Sequence, residues 1–285
     1  MINVKAWLPI LSLGLAGCAD GLYYYPDRKA YGFPSQYEDI YFRSADGTRL
    51  HAWLVPAKRH PPLGTVIHFH GNAQNLSSHY GFVDWLPDAG FQVFAFDYRG
   101  YGQSTGKPDR AGIHDDALAA LRLIADRAGQ EKLLVIGQSL GAAIAVAALA
   151  EESAPEAAAV VLESPFASYR GIARDVLGSV PVLGWLKTPL SYLLVTEQGS
   201  PDALIGKLAP TPILIIHGTD DPVVPYTQGW RLYEAAKEPK TFRTIEDGQH
   251  TEALTRFGKR YQPLVAEFFK AALSSNGRGE AADSE

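Results

Sequence analysis

A chain of 285 residues with net charge −5 and 46% hydrophobic residues holds one large domain or two small ones, with apolar surface enough for a core. Its mildly acidic balance, without a basic run, argues against nucleic acid as a partner. The single cysteine, Cys18, excludes an intrachain disulfide, and no repeat or low-complexity block is present.

The chain starts MINVKAWLPILSLGLAGCAD. Lys5 supplies a positive charge, Ala6 to Leu15 are mostly apolar, and small residues follow, as in an export signal. The stretch is too short to span a bilayer, which takes roughly 20 apolar residues. Leu15-Ala16-Gly17-Cys18 resembles the bacterial lipoprotein signal, in which the cysteine becomes the lipidated first residue. An ordinary signal peptide with a chance cysteine, or an uncleaved anchor, is the plainer alternative. The lone cysteine falls where the lipoprotein motif requires it. The expectation is a signal peptide over 1–17, a tether over 18–36, and a lipid-anchored membrane protein on the extracytoplasmic side of the cell envelope. An Asp directly after the cysteine resembles an inner-membrane retention signal in enterobacteria. Ala19 stands there instead, which favours the outer membrane.

Further along, strand and helix signals alternate. Glu38 to Phe42 and Leu50 to Val55 read as a hairpin split by Ala45-Asp46-Gly47-Thr48. Thr65 to His70 is a buried-strand run, Leu76 to Leu86 looks helical, and Phe91 to Phe96 is the next strand. Asp109 to Ala128 is a helix, Lys132 to Ile136 a strand, and Ser139 to Glu151 a helix. Ala157 to Leu162, Pro212 to Ile216 and Lys240 to Ile245 are strands, and Thr227 to Lys237 and Thr251 to Leu273 are helices. The pattern predicts an α/β fold, a mostly parallel sheet covered by helices on both faces. Regular alternation stops over about 166–201. The segment 274–285 is polar and small, and disorder is expected there.

Between the strand ending at Ile136 and the helix that follows lies Gly137-Gln138-Ser139-Leu140-Gly141. A sharp strand-to-helix turn brings backbone against backbone, and flanking glycines remove the clash. This is the Gly-x-Ser-x-Gly nucleophile elbow, which exposes Ser139 at the carboxyl edge of the sheet. The competing reading makes Ser139 only a helix cap. A serine nucleophile needs a base, held in turn by an acid, and this fold orders them Ser, acid, His. His250, in the loop Glu246-Asp247-Gly248-Gln249-His250 past a strand end, takes the base position. Asp221, in His217-Gly218-Thr219-Asp220-Asp221, is the favoured acid, with Asp220 and Glu163 as competitors. The oxyanion donors expected are the N–H of Leu140 and the N–H of Asn72 in His70-Gly71-Asn72-Ala73, with Ala73 as a substitute. His70 reads as a structural hydrogen-bonder beneath that loop. His68 and His70 share a strand face, but no third ligand of matching spacing accompanies them, so no metal is expected.

These segments, with Asp97-Tyr98-Arg99-Gly100-Tyr101-Gly102-Gln103-Ser104 and Glu163-Ser164-Pro165-Phe166, resemble the α/β-hydrolase superfamily. The likeness runs over about 37–273. It is greatest to the serine-hydrolase branch that includes eukaryotic protein depalmitoylases and many bacterial esterases. The resemblance implies a cofactor-free serine hydrolase that cleaves a carboxylic ester or thioester, palmitate esters included, through an acyl-enzyme. Its partner would be a small-molecule or acylated substrate. A serine peptidase or aminopeptidase of the same fold, or a catalytically silent envelope binding protein, are the alternatives. The resemblance also implies a small helical cap over about 166–201, where the apolar cluster Trp185, Leu186, Tyr192 and Leu193 suggests an acyl pocket, or else a small buried subdomain.

Overall fold

Among the residues described by the computed structural model (24–129, 131–179 and 184–279), eight strands form one sheet. They are β1 (Glu38–Arg43), β2 (Arg49–Val55), β3 (Thr65–Phe69), β4 (Gln92–Asp97), β5 (Leu133–Gln138), β6 (Ala157–Glu163), β7 (Ile213–Gly218) and β8 (Lys240–Ile245). Their order is β1-β2-β4-β3-β5-β6-β7-β8. The β1–β2 hairpin is antiparallel and β2 joins β4 antiparallel, whereas every other pairing is parallel. The longer helices are α1 (Arg110–Ala128), α2 (Leu140–Leu149), α3 (Tyr169–Ser179), α4 (Lys187–Leu194), α5 (Tyr226–Ala235) and α6 (Gly258–Gly279).

Every residue of β3, β5, β6 and β7 is buried, which is why these strands read as mostly apolar runs, with polar residues chiefly near their carboxyl ends. Alternate side chains feed opposite layers. Ile67, Phe69, Phe94, Phe96 and Val135 pack with Ile113 and Leu121 of α1 and Val146 of α2. Val66, Val93, Leu134 and Ile136 pack with Tyr261, Val265 and Phe269 of α6 on the other face. The strand order reverses at β3. The chain leaves it for β4 on one side and later returns to β5 on the other, so the loops after β3 and β5 diverge and open a crevice at the carboxyl edge.

The glycines flanking Ser139 are needed for close approach there. A Cβ on Gly141 would sit 2.1 Å from the Phe69 carbonyl oxygen and 2.4 Å from that of His70. One on Gly137 would sit 2.7 Å from the Ala142 Cα. Only side-chain-free positions allow α2 to start against the end of β3.

Several expected elements differ from those observed. The Leu76–Leu86 helix is broken into turns at Leu76–His79, Tyr80–Phe82 and Leu86–Ala89, the first capped by Asn75 Oδ1 accepting the Ser77 N–H at 3.0 Å. The last helix starts at Gly258 rather than Thr251, because the backbone of residues 251–254 bonds side chains of the sheet instead. It continues beyond Leu273 to Gly279, where a disordered tail was expected; 280–285 lie outside the described residues, as do Cys18 and the signal segment. From Tyr24 to Tyr31 the expected tether is bonded to the loop after β3.

Candidate active site

Ser139 lies between β5 and α2 with φ 52° and ψ −118°, a left-handed conformation that costs a non-glycine residue about 1–3 kcal/mol. Its N–H is held by the Glu163 carbonyl at 2.9 Å, and its side chain makes no capping hydrogen bond to α2. The helix-cap role is therefore vacant, and the turn leaves Ser139 half-buried.

His250 Nδ1 lies 2.7 Å from Asp221 Oδ2. The Asp221 carboxylate is fully buried, while the imidazole side chain is 21% exposed, so one end of the ring is anchored and the other is open. The other carboxylate oxygen, Asp221 Oδ1, accepts the N–H groups of Val223 and Val224 at 2.9 and 2.8 Å. Burial opposes the charge on Asp221, but hydrogen bonds from His217, His250 and the backbone outweigh it and hold the carboxyl well below the usual range. Asp220 is exposed, with its carboxylate on Thr219 Oγ1. The His250 loop is fixed to the sheet by Asp220 N–H on the Gly248 carbonyl, at 3.0 Å, and by Thr251 N–H on Ser164 Oγ, at 3.1 Å. Ser139 Oγ and His250 share no hydrogen bond in this structure; free hydrolases commonly hold that contact long until a substrate is bound.

The loop after β3 lies against the same turn, since a Cβ on Gly71 would stand 3.7 Å from the Ser139 Cβ. Asn72 Oδ1 accepts the Ala73 N–H at 2.8 Å, which occupies the donor that Ala73 would have offered. Leu140 opens α2, where the first N–H groups have no intrahelical partner. His70 is buried with Nδ1 2.8 Å from the Gly71 carbonyl oxygen and Nε2 3.3 Å from Asp97 Oδ1, a structural post beneath the loop. Among the described residues no cluster of metal-ligating side chains is present.

Glu163 is not the acid of the His250 pair. Its buried carboxylate accepts Ala253 N–H at 2.7 Å and Gln138 Nε2–H at 2.6 Å, and Gln138 Oε1 meets His68 Nε2 at 2.8 Å. Burial pushes the Glu163 carboxyl up, against these hydrogen bonds. Sequence reasoning did not anticipate this His68–Gln138–Glu163 chain, which joins the Ser139 turn to the segment after His250. Its one signal was polar residues, Gln138 and Glu163, at the ends of all-apolar strands.

Burial lowers His68 to about 3, with the charge of His70 acting the same way and Gln138 opposing; His79, stacked on His70 at 5.1 Å, is also lowered to about 3. Each is neutral in the fold and binds a proton near pH 6.5 once unfolded. Their contribution is therefore complete above about pH 6.5 and is lost as pH falls from there toward 3. His51 acts oppositely: burial disfavours its charge, but Asp97 and Asp39 together raise it. His68 alone should remove up to about 1.4 kcal/mol of stability per pH unit below 6.5. Urea unfolding at pH 7 and pH 4.5 checks this, and a stability that does not decline over that window contradicts it.

The cap consists of α3, a turn at Gly184–Leu186, and α4. Trp185, Tyr192 and Leu193 are 78%, 60% and 43% exposed, so these side chains do not enclose an acyl pocket; Val180 to Leu183 lie outside the described residues. A cavity of about 570 Å³ lies alongside α2, lined in part by Tyr24, Ile113, Ile144, Tyr169, Leu194 and Leu204.

A family profile described as serine aminopeptidase, S33, matches residues 60–207, which carry the β3 loop and the Ser139 turn. The chain belongs to this family. Uncharacterized protein YfhR of Escherichia coli (strain K12) is 38% identical over 263 residues, covering 90% of this chain and 89% of that one. The α/β hydrolase domain-containing protein WAV2 of Arabidopsis thaliana is 33% identical over 249 residues, covering 82% and 79%. Among solved structures, the esterase Pf2001 of Pyrococcus furiosus superposes with a TM-score of 0.68 at 24% identity, over 88% of this chain and 97% of that one. The fold is that of the α/β-hydrolases, and the protein is a hydrolase of that superfamily. Asp221 and His250 lie beyond the matched residues of the family profile, so their pairing is a feature of this chain's own structure.

Proposed function

We propose that the protein is a serine hydrolase of carboxylic esters or thioesters acting through an acyl-enzyme. The observation that carries this reading is the 2.7 Å Asp221–His250 pair on a loop tied to the strand end that holds Ser139. Ser139 Oγ attacks the acyl carbon while His250 Nε2 takes its proton, and Asp221 keeps the imidazole in the Nδ1–H tautomer and stabilises the imidazolium. The N–H groups of Leu140 and Asn72 receive the oxyanion. The proton then passes from His250 to the departing alcohol or thiol. Water, deprotonated by the same imidazole, releases the acid and restores Ser139. No metal or cofactor enters these steps.

A panel of acyl esters, acyl thioesters (a palmitoylated peptide among them) and aminoacyl amides tests the substrate class, with a fluorophosphonate probe reporting the active serine. Fastest turnover on esters or thioesters supports the proposal. Preference for aminoacyl amides shifts it to the aminopeptidase reading that the family description favours. No labelling at all leaves a silent binding protein.

We further propose that Cys18 is lipidated and holds the enzyme on an envelope membrane. Lys5, the short apolar stretch and the position of the lone cysteine support this. Among the described residues no helix is long and apolar enough to cross a membrane. Cys18→Ser should move the protein from the membrane to the soluble fraction and remove the acyl mass from its amino terminus. A mature chain that begins elsewhere contradicts the assignment.

A further inference from the structure

The amino-terminal segment from Tyr24 to Tyr31 is bonded along the loop proposed to supply the second oxyanion donor. Tyr25 N–H donates to Asn72 Oδ1 at 3.1 Å. The same oxygen accepts Tyr101 Oη–H at 2.9 Å and Ala73 N–H at 2.8 Å, so three segments converge on one side-chain atom. Pro26 pairs with Gln74 in a parallel bridge, and Asp27 N–H donates to the Gln74 carbonyl at 3.0 Å. Asn75 Nδ2 donates to the carbonyls of Asp27 and Lys29 at 3.0 and 2.7 Å, and Tyr31 N–H donates to Ser77 Oγ at 3.0 Å. Tyr24 is buried in the layer that contains Tyr98, Tyr101, Leu140 and Tyr169.

The loop has a reason to need this support. Ala73 and Gln74 have φ 68° and 56°, two successive non-glycine residues in the left-handed region. Such backbone persists only where its surroundings over-determine it. Here several of those surroundings come from the amino-terminal segment. An oxyanion donor acts through aim, because its N–H must point to where charge develops before the reaction starts.

We propose that residues 24–31 are a positioning strap for the oxyanion loop, holding Asn72 so that its N–H faces the acyl oxygen. This rests on the serine-hydrolase reading. The strap touches no substrate, so loosening it should lower kcat and leave KM unchanged. In the full chain, Tyr25→Pro deletes the N–H that bonds Asn72. Tyr25→Ala keeps that N–H and removes only a side chain that is 61% exposed.

With p-nitrophenyl butyrate, Tyr25→Pro should lower kcat by roughly 10- to 100-fold, less than outright loss of an oxyanion donor. KM should stay within about twofold, and Tyr25→Ala should match the wild type. Amide hydrogen exchange should accelerate at Gly71 to Asn75 in Tyr25→Pro with the melting temperature preserved. Should Tyr25→Pro fail to fold, Tyr31→Pro deletes the strap's N–H to Ser77 Oγ and is read the same way. Unchanged kcat and unchanged exchange in a folded variant overturn the strap, as does equal loss of activity in Tyr25→Ala. A wild type that neither labels with fluorophosphonate nor cleaves any ester overturns the hydrolase reading instead, and the exchange data then judge the strap alone.

Discussion

Ser139→Ala should abolish fluorophosphonate labelling and lower kcat by at least about 10³-fold while the melting temperature holds. The size follows from what remains. Without Oγ, the proposed Leu140 and Asn72 donors could still bind an oxyanion, but no covalent intermediate would split the reaction into two steps. Stability should hold because the hydroxyl caps nothing and the left-handed backbone is fixed by neighbours, chiefly the Glu163 carbonyl on the Ser139 N–H. Alanine at φ 52° meets the same strain as serine. Ester hydrolysis at the wild-type rate by a folded Ser139→Ala protein would remove Ser139 from the mechanism.

Asp221→Asn should lower kcat on the order of 10⁴-fold, whereas Asp220→Asn should leave it within a few-fold. The carboxylate at 221 accepts from His250 Nδ1, and an amide nitrogen turned to that position would favour the opposite tautomer, leaving Nε2 protonated and useless as a base. Asp220 has no such contact, its carboxylate being on Thr219 Oγ1. Glu163→Gln separates the remaining competitor. It should weaken the fold, because an amide group would face donors from Gln138 and Ala253, but the surviving enzyme should lose far less kcat than Asp221→Asn, since the Asp221 contact to His250 is untouched. Reversed results for Asp220 and Asp221 would mean that the base is held by a different acid.

Much of this architecture was readable where one physical cause dominated. β3, β5, β6 and β7 are buried on both faces, and apart from Thr65 and the polar residues near their carboxyl ends (His68, Gln138, Glu163 and His217) they are built of apolar residues and glycine. The Ser139 turn was readable because Gly141 stands where a Cβ would overlap the Phe69 carbonyl. Residues 251–257 look as helical as those after Gly258. What separates them is long-range: Thr251, Ala253 and Leu254 give their N–H groups to Ser164 and Glu163 some 90 residues away in the chain. The strap was hidden for a similar reason. Its bonds to the β3 loop are mostly backbone N–H and C=O groups, which every residue carries, so the identities of residues 24–31 leave no pattern to find. The cap cluster misled because hydrophobicity alone does not distinguish a pocket lining from an outer surface, and Trp185 lies on the latter.

Were Cys18 lipidated as proposed, the strap would also limit the distance between that anchor and Ser139. Tyr24 follows Cys18 by six positions, 24 − 18, and so few residues reach no farther than roughly 20 Å even when fully extended. A lipid on Cys18 would therefore keep the Ser139 crevice close to the headgroups, with no long flexible leash between them. Encounter with a substrate in the same leaflet then becomes a search in two dimensions, at a local concentration set by the tether rather than by the surrounding solution. Esters and thioesters embedded in that leaflet would gain from the arrangement, whereas freely diffusing ones would meet the enzyme at their bulk concentration.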